Sequence, residues 1–187
     1  MRRYYITDSR AAGGIEPLLV YVDRAIAGGV EMIQVREKHL PARQLLELTR
    51  RIVSLAAGTS TRILVNTRVD VALAAGASGV HLPSDAISPA RWRTIVPPGF
   101  LIGVSCHTTD ELHRAEVEGA DFAVYGPVFP SPGKGAPIGV EGLAQGVRAT
   151  RLPVYALGGI DKEKAATCLQ LGAAGVAAIS WLQRASG

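Results

Sequence analysis

Residues 75–82, AGASGVHL, close a helix-period run on a glycine, pass small residues and enter a short β-rich run. The same passage recurs as AGGVEMIQV at 27–35, EGADFAVYG at 118–126 and LGAAGVAAI at 171–179. Each ends a helix on Gly, crosses one or two small or acidic residues and starts a strand, a weak internal repeat of a βα unit. Read outward from these anchors, the chain holds eight strand-like runs: 4–7, 32–36, 62–66, 79–82, 101–106, 122–126, 154–158 and 175–180. Amphipathic stretches lie between them. In PARQLLELTRRIVSLA (41–56), Leu45, Leu46, Leu48, Ile52 and Leu55 recur near helical spacing while arginines take the outer face. The repeats precede the second, fourth, sixth and eighth strands, so the unit comes in pairs, as a closed (β/α)8 TIM barrel requires. A doubly wound open sheet is the competing arrangement, but it usually carries a GxGxxG turn after its first strand, and YYITDSRAAGG has none.

Barrels of this kind typically use about 250 residues. A chain of 187 residues therefore predicts one compact domain over 1–187 with short loops. Only WLQRASG follows the eighth strand, which predicts a truncated or missing eighth helix. A flank left bare in that way predicts a homo-oligomer that covers it. The net charge of +4 comes without a clustered Lys/Arg run, which points to small anionic ligands and away from nucleic acid. No signal peptide follows MRRYYITDSR and no window approaches a membrane span, so a cytoplasmic protein without membrane partners is expected. The two cysteines, Cys106 and Cys168, form neither a metal motif nor a disulfide framework, and no HxxxH or CxxC occurs.

Active sites of β/α barrels lie at the carboxyl ends of the strands. Those ends carry Thr7 and Asp8, Arg36 and Lys38, Asn66, Ser84 and Asp85, Ser105 and His107, the loop GPVFPSPGKGAPIG (126–139), Gly158 and Gly159, and Ser180. Gly158 and Gly159 on the seventh strand, paired with Ser180 on the eighth, occupy the phosphate position of many barrels. Arg36 and Lys38 alternate along the exit of the second strand and, with Lys134, form a cationic set for a carboxylate or pyrophosphate. Among the histidines, His113 reads as a solvent-facing helix residue, His39 as a loop residue and His81 as packing. His107 tops the fifth strand, where an imidazole suits proton transfer.

The chain resembles the superfamily of thiamine phosphate synthase and thiazole tautomerase. The resemblance runs through YYITD, MIQVREK, LVNTRVDVALAAGASGVHLP, IGVSCHTTDELHRAEVEGADFAVYGPVFPSPGK, GVEGL, LGGI and GVAAIS, in order. It implies the barrel and a small phosphorylated thiazole as substrate. Synthases are similar in placing Mg²⁺ on two aspartates, at positions held here by Thr67 and Ala86, with Asp85 one residue early and Asp70 almost a helical turn on. The HLPSD segment looks like the tautomerase version, and PSPGK replaces a threonine-bearing PTxTK. Arg36, Lys38, Asn66, Ser105 and Lys134 match the positions with which synthases bind diphosphate.

These departures direct the expectation to a thiazole tautomerase, an isomerase that aromatises a carboxythiazole phosphate. In that reading His107 shuttles the proton, and Gly158, Gly159, Ile179 and Ser180 hold the phosphate. Arg36 or Lys38 takes the carboxylate, with Asn66 and Ser105 nearby, and no cofactor is needed. The alternatives are thiamine phosphate synthase, which would need Mg²⁺, and a regulator that binds thiamine phosphates without turnover.

Overall fold

The structure is a computed structural model and describes residues 1–179. Eight parallel strands close a barrel in chain order, β1 (Arg2–Ile6), β2 (Met32–Val35), β3 (Arg62–Asn66), β4 (Gly79–Leu82), β5 (Leu101–Cys106), β6 (Phe122–Tyr125), β7 (Val154–Leu157) and β8 (Gly175–Ala178). This is the (β/α)8 barrel expected from the repeats, and the open doubly wound sheet is excluded. All eight strand-like runs are strands, shifted by two residues at most. Ser180 and the expected truncation of the helix after β8 lie outside the described residues, as does the flank from which a homo-oligomer was expected. Among the described residues no helix is long and apolar enough to cross a membrane.

Two compact units divide the strands. In Arg3–His81, α1 (Ser9–Ala12), α2 (Ile15–Ala27), α3 (Ala42–Leu55) and α4 (Val69–Ala75) alternate with β1–β4. α1 is capped by the Asp8 carboxylate, which accepts from Ala11 N–H at 3.0 Å. α4 ends on Gly76 at φ +68°, one of the glycines that the repeat placed there. On α3 the residues Leu45, Leu48 and Ile52 are buried as the periodicity required, whereas Leu55 is exposed. Register fixes which side chains share a face. Ile6, Gln34, Leu64 and Gly79 pair in a row, and Asn66 pairs with His81 two residues on. Ile33 and Ile63 form the intervening row, with Val35 and Val65 two residues on and therefore on the same face.

The second unit, which includes Leu82–Ala177, holds α5 (Pro89–Arg93), α6 (Thr109–Val117), α7 (Gly139–Ala149) and α8 (Lys162–Gln170) with β5–β8. Two glycines make room for aromatic rings here. A Cβ on Gly103 would stand 2.2 Å from the Phe122 ring, and one on Gly146 of α7 would stand 2.3 Å from the Tyr125 ring. Phe122 meets Tyr155 edge-on with centroids 5.5 Å apart. Arg93 ties α5 to the loops around it, donating to the Phe100 and Gly119 carbonyls and to the Asp121 carboxylate.

Candidate functional site

In the first unit the exit of β2 is pinned to the exit of β1. The Thr7 hydroxyl donates to Glu37 Oε1 at 2.6 Å and accepts from Arg36 N–H at 2.9 Å. Ser9 gives Glu37 two donors, its N–H shared between both carboxylate oxygens at 3.1 and 3.0 Å and its hydroxyl at 2.6 Å. Glu37 is 3% exposed. Its charge is thus satisfied entirely by neutral donors, with His39 Nδ1 standing 3.9 Å away at the edge. Lys38 is exposed. Its placement departs from the strand alternation expected, because β2 ends at Val35 and Leu40 N–H closes a turn on the Glu37 carbonyl at 3.0 Å.

Deeper in the same unit, three polar side chains meet among buried residues. Gln34 Nε2 donates to the Tyr4 hydroxyl at 3.1 Å, and that hydroxyl lies 3.2 Å from His81 Nδ1. Burial and then the positive charge of Arg36 push the His81 pKa down to about 3, so the ring is neutral in the fold. Arg36 follows the last residue of β2 and Asn66 is the last residue of the adjacent β3. His81 is buried, as the packing expectation had it, and in addition meets the Tyr4 hydroxyl. Its signal was a histidine two residues before HLP's end in a strand buried throughout, beside the buried Gln34 in MIQV.

Asn66 Nδ2 donates to Thr67 Oγ1 at 2.9 Å, and Thr67 adopts φ +65°. Beneath the loop after β1, the Tyr5 hydroxyl is buried with no hydrogen-bond partner among the described residues. Burial, then the negative charges of Glu37 and Asp8, hold its pKa above the usual phenol range.

In the second unit His107 is held at the top of β5. Its N–H donates to Glu111 Oε2 at 2.5 Å, and its Nδ1 lies 2.6 Å from the Gly126 carbonyl. A carbonyl only accepts, so Nδ1 carries the hydrogen. Ser105 is half-buried in the same strand, Ile179 is half-buried, and Lys134 is exposed on the loop after β6. A cavity of about 220 Å³ in this unit is lined by Ser84, Asp85, Ala86, Glu111 and Arg114 among others; it includes the strand-end residues Ser84 and Asp85 but none of the residues expected to bind substrate.

Gly158 and Gly159 have a different explanation from the close ligand approach expected. They adopt φ +99° and +61°, and a Cβ would come within 2.5 Å of Pro127 Cβ or 2.6 Å of the Pro130 carbonyl. Packing of the loop after β7 against the loop after β6 therefore demands both glycines before any ligand is considered. The α8 N-terminus already has an anion of its own, since Asp161 accepts from Lys164 N–H at 2.9 Å and pairs with the Lys164 ammonium at 2.9 Å.

No group of three or more His, Cys, Asp or Glu stands ready for a metal among the described residues. Asp8 caps α1 and Glu37 is saturated by Thr7 and Ser9. Asp70 is locked in a bidentate pair with Arg68 at 2.8 and 2.5 Å, which holds its pKa below the usual carboxylate range. Asp85 is exposed, and Thr67 offers a hydroxyl already bonded to Asn66. These donors do not fit the two-aspartate Mg²⁺ site that the resemblance implies. The expectation of no cofactor gains nothing from this, because that same resemblance implies Mg²⁺ for the synthases.

The thiamine monophosphate synthase family model matches residues 3–182. A putative thiamine-phosphate synthase of Geobacter sulfurreducens is 48% identical over 180 residues, 95% of this chain and 84% of that protein. The thiamine-phosphate synthase of Moorella thermoacetica is 41% identical over 179 residues, 94% of this chain and 85% of that one. Among solved structures, thiamine phosphate pyrophosphorylase from Pyrococcus furiosus superposes with a TM-score of 0.87 at 34% identity, covering 99% of this chain and 91% of that chain. These relatives overturn the tautomerase expectation: all three are named thiamine-phosphate synthase or thiamine phosphate pyrophosphorylase, and none is named an isomerase. The expectation gave two missing carboxylates, the HLPSD segment and the PSPGK loop too much weight. His107, as a hydrogen-bonded loop imidazole, is compatible with either chemistry.

Proposed function

The chain belongs to the thiamine monophosphate synthase family, and from that premise we propose that it is a transferase, joining hydroxymethylpyrimidine diphosphate to thiazole phosphate. The observation that carries this reading is the cationic exit of β2, Arg36 and Lys38 with Asn66 on the neighbouring strand, retained in a chain so similar to synthases. In the reaction the bond from the pyrimidine methylene carbon to the diphosphate oxygen breaks, its electron pair leaving on pyrophosphate. The thiazole nitrogen then supplies the pair for the new C–N bond. No proton moves in that balance, so nothing in it demands a general base. The chief need is to hold negative charge as it grows on the leaving group, and fixed cations do this by electrostatic stabilisation.

Arg36 and Lys38 would meet the diphosphate, with the Asn66 amide as a further donor. In the second unit Ser105, Lys134 and the Nε2 side of His107 would supply polar contacts. The Gly158–Gly159 turn and Ile179, with Ser180, would border the thiazole phosphate. The chain would act as one domain over 1–187 in the cytoplasm, on small phosphorylated substrates. Incubating the full chain with both substrates, with and without Mg²⁺, and following thiamine phosphate and pyrophosphate by chromatography tests this. Formation of both in equal amounts is expected. Absence of both under every metal condition overturns it.

A further inference from the structure

Between the two cations at the β2 exit stands a carboxylate, Glu37, of the wrong sign for a diphosphate. A negative charge there weakens anion binding unless something else is gained. The structure removes it from solvent and gives it three donors, the Thr7 hydroxyl, the Ser9 N–H and the Ser9 hydroxyl. Such a buried charge is costly unless fully bonded, and this one is. The same Thr7 oxygen that donates to Glu37 accepts from the Arg36 N–H, so the carboxylate, the hydroxyl and the Arg36 backbone form one chain of hydrogen bonds. On its other side the Glu37 carbonyl closes the turn that carries Lys38. Groups 28–30 residues apart in sequence are thereby locked together, and both neighbours of Glu37 inherit the lock.

We propose that Glu37 is a positioning residue: its carboxylate, socketed on Thr7 and Ser9, sets the backbone from which Arg36 and Lys38 reach a diphosphate. The proposal rests on the synthase reading for its substrate but is testable without turnover. Charge and positioning make opposite forecasts for Glu37→Gln. If only charge mattered, removing a negative group beside the cations would tighten anion binding. If the socket sets the cations, the amide must turn its N–H groups toward Thr7 or Ser9, at least one donor contact is lost, the socket opens, and binding weakens. Losing one charge-assisted hydrogen bond to the anion is enough to cost about 10- to 100-fold in binding.

The test is calorimetric titration of the full chain with inorganic pyrophosphate. Glu37→Gln, shown folded by a cooperative melt, is expected to bind about 10- to 100-fold more weakly than the parent. Glu37→Asp, which keeps the charge on a shorter stem, should recover part of that loss. In turnover the KM for the pyrimidine diphosphate should rise while the KM for thiazole phosphate holds, a split that general loosening of the fold would not produce. If Glu37→Gln does not fold, Ser9→Ala and Thr7→Val replace it, each expected to weaken pyrophosphate binding severalfold. Unchanged or tighter binding in a folded Glu37→Gln, or parent-like binding in both replacements, overturns the proposal. So does a parent that does not bind pyrophosphate. A parent that binds it, loses it in Glu37→Gln and yet forms no thiamine phosphate would sink the synthase reading alone.

Discussion

Replacing Thr67 by Asn should stabilise the fold, and the reason is local. Thr67 is the one non-glycine residue with positive φ among those described, at +65°. Left-handed backbone costs an ordinary L-residue about 1–2 kcal/mol, and a branched Cβ makes it worse, while Asn tolerates it through its short polar side chain. The Thr67 hydroxyl accepts from Asn66 Nδ2 at 2.9 Å, but Thr67 is exposed, so that bond is worth about 0.5 kcal/mol. An Asn at 67 keeps an acceptor there, and the net gain should be about 0.5–1.5 kcal/mol. Gly removes the strain too, but it loosens the unfolded chain by about 1 kcal/mol and drops the hydrogen bond, so Thr67→Gly should be close to neutral. Val has the same shape without the hydroxyl and should lose about 0.5 kcal/mol. Urea unfolding followed by circular dichroism reads these differences. With a slope of about 2 kcal/mol per molar, Thr67→Asn should move the midpoint up by roughly 0.25–0.75 M. An Asn variant no more stable than the parent, or a Val variant more stable, would refute the claim that this turn is strained.

Three further outcomes are expected. His81 is held neutral in the fold with its pKa lowered to about 3, so the unfolded chain binds the extra proton between that value and 6.5. Stability should therefore be full above about pH 6.5 and fall as pH drops toward 3, by as much as about 1.4 kcal/mol per pH unit, and His81→Asn should flatten that limb in acid titrations of unfolding. Gly159→Ala should destabilise by about 2–4 kcal/mol with no anion present, because its Cβ meets Pro130 and Phe129 at a positive φ; a parent-like melting temperature in plain buffer would contradict this. Cys106, its pKa pushed up to about 12 by burial, and the equally buried Cys168 should resist a thiol reagent at pH 8 until urea unfolds the chain, and prompt labelling of the native protein would count against the core as described.

Eight strands, their alternation with helices and their order around a barrel were legible in the sequence, because each rests on local periodicity and on glycines that end helices at fixed places. Arg36, Asn66 and His107 could be put at strand ends for the same reason, counting from the last β-rich residue. The branch of the family was misjudged where the reasoning leaned on substitutions at Thr67 and Ala86, since the absence of two side chains says little about the cations that remain. What tertiary structure alone decided are contacts between residues far apart in the chain. Glu37 reads in sequence as a mere neighbour of two cations; only the pairing of β1 with β2 puts Thr7 and Ser9 around its carboxylate. Gly158 and Gly159 read as a ligand turn; only the loop after β6 shows that packing already requires them. Lys38 reads as the continuation of a strand, and only the turn at Glu37 removes it from that alternation. Periodicity is set by each residue's own backbone and neighbours, whereas a hydrogen-bond socket or a close approach exists only after the chain has brought distant segments together.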